Sequence, residues 1–255
     1  MNVIDERTAK VKSLAKALKV LNCFVDKQPL GVTEISDLLG IYKSNVYDIL
    51  STLVSAGYVS KNEETGKYSL GLGAVRLGRA ASSNNSFQSI ASEHIRRISA
   101  QTGEICYLTI PQDFRVFYLD VALPNESNVL LANTLRNSTD PMNTTASGKT
   151  MLAFMRPEQT EEFLRQPMIR LTEHTITDPD KMREELALIR QRGYAIDNME
   201  NSIGLRCVAM PLLNRAGELV GAMSISGPSA RVTMEKIPQY VEILKEHTEE
   251  VSLYL

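Results

Sequence analysis

The sequence predicts an α+β chain: an N-terminal winged helix-turn-helix followed by a larger domain of strands and helices. Three observations carry that prediction. Three short helical patterns and a hairpin pattern follow one another within residues 1–70. A break at Gly40-Ile41 separates the second helical pattern from the third, the short turn that a helix-turn-helix requires. Beyond the polar stretch Ser82-Ser-Asn-Asn-Ser86, strand patterns run between an opening and a closing helix.

The elements follow in order. Leu14, Ala17, Leu18, Leu21, Phe24 and Val25 recur at the spacing of an amphipathic helix, which Pro29 and Gly31 end. Thr33 is placed to cap a second helix through Glu34, Ile35, Leu38 and Leu39, closed by Gly40. A third helix opens at Lys43 or Ser44, sets Val46, Ile49, Leu50 and Leu53 on one face, and ends at Gly57. Tyr58 to Leu70 reads as two short strands about a turn holding Gly66. A small helical bundle with an added hairpin is the alternative, and the short turn argues against it.

Residues 71–85 read as a linker helix and 86–255 as the second domain. That domain opens on a helix carrying Phe87, Ile90, Ala91, Ile95 and Ile98, then continues with strands near 104–110, 115–123 and 128–132. Asp178 and Pro179 start a helix holding Met182, Leu186 and Ile189, which Gly193 ends. Strands near 194–197, 205–213 and 218–226 follow. The closing helix carries Val241, Leu244, Thr248 and Val251.

Composition excludes several classes. Of 255 residues, 43% are hydrophobic and 23% charged, an ordinary globular balance. No apolar run approaches the roughly eighteen residues of a membrane span, and MNVIDERTAK lacks the apolar core of a signal peptide. Cys23, Cys106 and Cys207 are too few and too scattered for a disulfide framework. The expected location is the cytoplasm, with no membrane contact. Cysteines and histidines stand isolated, so neither a metal site nor a cofactor is expected. Net charge is -2; residues 1–70 carry nine Lys/Arg against eight Asp/Glu, so charge alone does not point to nucleic acid.

Ordered motifs do point there. They are Ser13-Leu-Ala-Lys-Ala-Leu-Lys-Val-Leu21, Gly31-Val-Thr-Glu-Ile-Ser-Asp-Leu-Leu-Gly40, Lys43-Ser-Asn-Val-Tyr-Asp-Ile-Leu50 and Gly57-Tyr-Val59. Thr65-Gly-Lys-Tyr-Ser-Leu-Gly71, Pro141-Met-Asn-Thr-Thr-Ala-Ser-Gly-Lys149 and Arg192-Gly-Tyr-Ala195 continue the set. Glu200-Asn-Ser-Ile-Gly-Leu-Arg-Cys-Val-Ala209 and Ser224-Ile-Ser-Gly-Pro228 complete it. Together they resemble the IclR (isocitrate lyase regulator) family of bacterial transcription factors over nearly the whole chain. The resemblance implies a GAF-like α/β effector-binding domain, and a dimer or tetramer on a palindromic operator in double-stranded DNA. It implies no enzymatic activity. The chain departs from the family's usual residues at Asn45 (commonly Thr), Asp48 (commonly Arg) and Asn143 (commonly His).

On the third helix the apolar face leaves Lys43, Ser44, Asn45, Tyr47, Asp48, Ser51 and Thr52 outward. Ser44 and Tyr47 can donate to phosphates, Asn45 can pair with adenine, and Asp48 can accept from cytosine. Lys61 and Lys67 flank the hairpin tip and either touch the adjacent backbone or stay solvated.

In the second domain, taking Asn214 and Gly217 as the residues flanking a turn sets Cys207 opposite Ser224 and Leu205 opposite Ser226. Alternation then puts Ser224, Ser226 and Cys207 on one sheet face, a small polar patch. The family's effector site draws on positions matching Asp197, Cys207, Ser224 and Ser226. Ser147-Gly-Lys-Thr150 imitates the end of a P-loop, but position 143 is Asn where the pattern needs Gly. A helix N-terminus fits better, with Ala146 and Ser147 offering backbone N–H groups to an anion and Lys149 an ordinary first-turn residue. The family resemblance implies that this anion is the effector's carboxylate. Two other readings stay open: Cys207 as core filler, or as the nucleophile of a small-molecule-processing enzyme with a DNA-binding appendage. A winged-helix protein-interaction module is a third.

Overall fold

Residues 9–83, 86–124 and 138–255 are described by a computed structural model. The predicted strand near 128–132 lies outside them. Contacts divide the chain into two units, Met1–Asn85 and Ser86–Leu255. Among the described residues, no helix is long and apolar enough to cross a membrane.

The first unit runs α1 (Lys12–Asp26), α2 (Val32–Leu39), α3 (Lys43–Ser55), β1 (Val59–Lys61), β2 (Tyr68–Leu70) and α4 (Leu72–Ser83). Val20, Phe24, Leu30, Ile35, Val46, Leu50 and Tyr68 close its core. Gly40 ends α2 at φ +64°, its N–H donated to the Ser36 carbonyl at 2.9 Å, and α3 begins three residues later. The cap of α2 is not Thr33 but Gly31. Glu34 sits at the third helical position and its carboxylate accepts the Gly31 N–H at 2.8 Å, so the acidic side chain rather than a hydroxyl satisfies the helix start.

The apolar face of α1 also differs from the sequence reading. Ala15, Val20, Cys23 and Phe24 are buried, whereas Leu14, Leu18 and Val25 are 57%, 42% and 64% exposed. The helix carries two apolar stripes. One packs on α2 and α3; the other, Val11, Leu14, Leu18, Leu21 and Val25, repeats at alternating steps of three and four. That is the spacing of a coiled-coil seam. On α4, Leu72, Val75 and Leu77 are exposed as well.

The second unit is built on one antiparallel sheet. Its strands are β3 (Ile105–Gln112), β4 (Arg115–Ala122), β5 (Thr139–Pro141), β6 (Ala195–Asn198), β7 (Leu205–Leu213) and β8 (Leu219–Pro228), in the order β5-β4-β3-β8-β7-β6. On one face lie α5 (Ser86–Thr102) and α9 (Ile237–Ser252), sharing a core of Ile95, Ile98, Leu108, Val208, Ile225 and Leu244. On the other lie α6 (Ala146–Phe154) and α8 (Pro179–Arg192), around Met151, Leu152, Met182 and Ile189. Between them runs α7 (Pro157–Leu164), which the sequence pattern did not mark, nor did it mark β5.

The β7–β8 register is a correction. Cys207 stands opposite Ser226, not Ser224, and Leu205 opposite Pro228. Two local features each add one residue. Asn214 faces Glu218, its N–H donated to that carbonyl at 2.9 Å, so the loop has three residues and Gly217 takes φ +77°. Between Leu212 and Leu213 the pairing then slips, Leu213 facing Leu219 and Leu212 facing Gly221. A slip of two residues preserves the face, so the predicted side of Ser224, Ser226 and Cys207 stands.

Candidate functional site

The sheet places a row of polar groups beneath α6. Asp197 on β6 faces Cys207 on β7, which faces Ser226 on β8. One step along, Ser224 faces Tyr107 on β3. These groups line a cavity of about 130 Å³ together with Ala146, Ser147, Tyr118, Asp140 and Asn201, among others. All six effector-site candidates from the sequence, Ala146, Ser147, Asp197, Cys207, Ser224 and Ser226, therefore meet at one cavity.

The start of α6 is fixed from two sides. The Thr145 hydroxyl accepts the Gly148 N–H at 2.9 Å, a helix cap. A Cβ on Gly148 would stand 2.2 Å from the Met142 carbonyl oxygen, so only glycine lets the preceding turn lie against the helix. The N–H groups of Ala146 and Ser147 are in the first turn, where the helix itself supplies no acceptor.

Among the described residues around the cavity, carboxylates outnumber cations. Asp197 is buried, its Oδ1 accepts the N–H groups of Glu200 at 2.7 Å and Asn201 at 3.3 Å, and desolvation pushes its carboxyl up to about 6. Asp140 accepts from the Tyr118 hydroxyl at 2.7 Å, and Tyr107 meets Tyr118 edge-on with centroids 5.0 Å apart. Among the described residues, no Lys or Arg lines the space. The nearby cation is consumed: Lys149 is fully buried, and its ammonium donates to Glu200 Oε1. Lys149 is thus no ordinary first-turn residue, a second correction. Among the described residues, Glu200 Oε2 and Asn143 Oδ1 are the buried side-chain polar atoms without a partner.

Cys207 does not have the surroundings of a nucleophile. Its thiol donates to the Ser226 hydroxyl at 3.0 Å, and burial raises it well above the ordinary thiol range, with Asp197 adding to the shift. A reactive cysteine needs the opposite, a stabilised thiolate beside a base. His94 and His247 belong to α5 and α9, on the far face of the sheet, and His174 is exposed beside Glu173.

In the first unit, Lys43, Ser44, Asn45, Tyr47, Asp48, Ser51 and Thr52 are all exposed, while Val46 and Leu50 are fully buried. The two hairpin lysines are engaged within the unit. Lys61 pairs with Glu63 at 2.8 Å, and Lys67 with Glu34 at 3.2 Å. Both pairs are surface-exposed and weak enough to exchange partners.

Sequence reasoning missed Tyr107, Tyr118, Asp140 and Asn201 as cavity residues. The alternation Cys106, Leu108 against Tyr107, Thr109 was available and would have placed Tyr107 opposite the core face. Asp140 and Asn201 sit in short or irregular segments, where no period exists to read.

Comparison with known proteins agrees with the motifs. The pattern described as "IclR helix-turn-helix domain" matches residues 13–63, and "Bacterial transcriptional regulator IclR C-terminal" matches residues 79–253. The chain is 33% identical over 242 residues to the HTH-type transcriptional regulator KdgR of Dickeya chrysanthemi, covering 94% of this chain and 79% of that one. The crystal structure of the Thermotoga maritima IclR is 32% identical with a TM-score of 0.76, covering 95% of this chain and 98% of that one. An IclR homologue from Microbacterium hydrocarbonoxydans, complexed with 4-hydroxybenzoate, shares the fold at 24% identity, with a TM-score of 0.82 over 94% of this chain and 98% of that one.

Proposed function

This chain belongs to the IclR family of bacterial transcriptional regulators, not enzymes, and from that premise we propose that it binds an operator under control of a small hydroxylated carboxylate. In this reading residues 1–70 bind DNA, 71–85 link, and 86–255 bind the effector and support oligomerisation in the cytoplasm. The observation that carries it is the single cavity that gathers all six effector candidates.

The cavity's chemistry favours one class of ligand. The first-turn N–H groups of Ala146 and Ser147 favour an anionic head. Asp140 and Asp197 would repel a second negative group, so the rest of the ligand must donate, as hydroxyls do. At about 130 Å³ the cavity is below the ~300 Å³ at which drug-sized sites begin. A hydroxy acid of a few carbons satisfies all three conditions. Removing both serine hydroxyls, in Ser224→Ala/Ser226→Ala, deletes two partners worth ~0.5–1.5 kcal/mol each. Effector affinity should fall roughly ten-fold with operator binding intact. Calorimetric titration of short hydroxy acids against both proteins checks this, and equal affinities would move the site elsewhere.

For DNA, α3 offers short polar groups at its N-terminal end, fit for a major groove. Asn45 would pair with adenine, Asp48 would accept from a cytosine amine, and Lys43, Ser44, Tyr47 and Ser51 would hold phosphates or base edges. Lys61 and Lys67 would release Glu63 and Glu34 for the backbone. The exposed seam of α1, with Leu72, Val75 and Leu77 of α4, favours a homodimer or tetramer on a palindromic operator. Gel shifts with the gene's own upstream duplex should show affinity falling steeply with salt. Equal affinity for a random duplex would support instead the module that meets protein and never reads DNA.

A further inference from the structure

Two histidines far apart in the chain meet between α5 and α9. His94 Nδ1 and His247 Nδ1 are 2.8 Å apart, and Glu250 Oε2 is 3.7 Å from His94 Nδ1. All three ligand atoms lie within 4.8 Å of one another. The sequence reading treated the histidines as isolated; the α5–α9 packing brings them together from positions 153 residues apart. We propose that His94, His247 and Glu250 form a site for a divalent transition metal of the zinc, cobalt or nickel class. It lies on the face of the sheet opposite the effector cavity.

The chemistry matches. Two imidazoles and one carboxylate, leaving a position for water, is an established donor set for such ions. With ligands ~2.0–2.1 Å from a tetrahedral ion, donor atoms stand about 3.4 Å apart. The His pair must open by roughly half an ångström, and the His94–Glu250 pair must close slightly, within rotamer motion. His247 and Glu250 are three apart on α9 and so share one face. Glu250 is about half exposed, while His94 and His247 are buried at 7% and 8%. A depression of about 650 Å³ lined by His94 and Glu250 gives an ion access.

The surroundings permit a cation. Glu93, Glu246 and Glu250 favour positive charge at the pair, and Arg97 opposes it. Arg97 is itself held by Glu93 at 3.2 Å. Burial lowers both histidines below the usual imidazole range, so near neutral pH the nitrogens are free to ligate rather than protonated. At present one Nδ1–H donates to the other Nδ1. Ligation requires that ring to carry its proton on Nε2 instead, a tautomer change with no net proton released.

The test uses the full chain stripped with a chelator. Calorimetric titration with Zn2+, and visible absorption on adding Co2+, should report one site per chain of micromolar or tighter affinity. His94→Ala and His247→Ala should each weaken binding by at least ten-fold. Glu250→Gln, at a half-exposed position that tolerates change, should weaken it several-fold and serves if the histidine variants misfold. His174→Ala should leave affinity unchanged. Absence of binding at millimolar Zn2+, or full affinity in the Glu250 variant together with loss in His174→Ala, would overturn the proposal.

Discussion

Replacing Lys149 by methionine should destabilise the second unit by about 3–5 kcal/mol, the cost of leaving a buried carboxylate without its cation. Lys149 and Glu200 are both buried, and the second oxygen of Glu200 already lacks a partner. Desolvation already raises the Glu200 carboxyl, and Lys149 is the main force lowering it. Without that ammonium the folded-state value rises further above its unfolded value. An acid raised in this way binds more protons folded than unfolded, so stability falls as pH climbs above about 4.5 and the loss shrinks below it. Urea unfolding of Lys149→Met at pH 4.5 and pH 8 should show the larger deficit at pH 8. The paired change Lys149→Met/Glu200→Leu should recover most of the loss, since apolar replacement of a whole buried pair is often neutral or better. Equal deficits at both pH values would mean the pair contributes packing and little electrostatics.

Charging the outer stripe of α1 should separate protomers without unfolding them. Leu14 and Leu18 are 57% and 42% exposed, so Leu14→Asp/Leu18→Asp touches little of the first unit's own core. If that stripe seats against a second copy, four carboxylates meet in one seam and the assembly drops a step, tetramer to dimer or dimer to monomer. Operator affinity should then fall by about a hundred-fold or more, because two half-sites are no longer held by one linked particle. Sedimentation and gel shifts read the two effects, and circular dichroism should change little. An unaltered sedimentation coefficient would assign the seam some other role.

Much of this was legible in the residues, and the failures have physical causes. The helix-turn-helix order could be read because a glycine or proline follows each helix within a few residues and each carries its own apolar period. The α1 stripe was misjudged because periodicity reports that a face is apolar, not which of two apolar faces is covered. Ser224, Ser226 and Cys207 were placed on the right face through a wrong register, since side-chain direction depends on parity alone. Lys149 was misread for a different reason. A lysine in a first helical turn looks solvated until its partner is known, and Glu200 arrives from a segment 51 residues on. Tyr118, Asp140 and the His94–His247 pair share that cause: each gains its meaning from a neighbour that only the closed sheet supplies.

The hairpin between β7 and β8 limits how this gene can change in length. Its loop of three and its slipped pair together leave Ser226 beside Cys207. Deleting one codon there, with the pairing kept flush, would turn every side chain of β8 over. The serines would then press into the apolar layer of α5 and α9, and Ile225 would enter the polar cavity. Loss of two codons would keep the faces and slide them by one pair. Viable descendants of this chain should therefore differ at that turn by even numbers of residues, or by odd numbers matched with a bulge gained or lost.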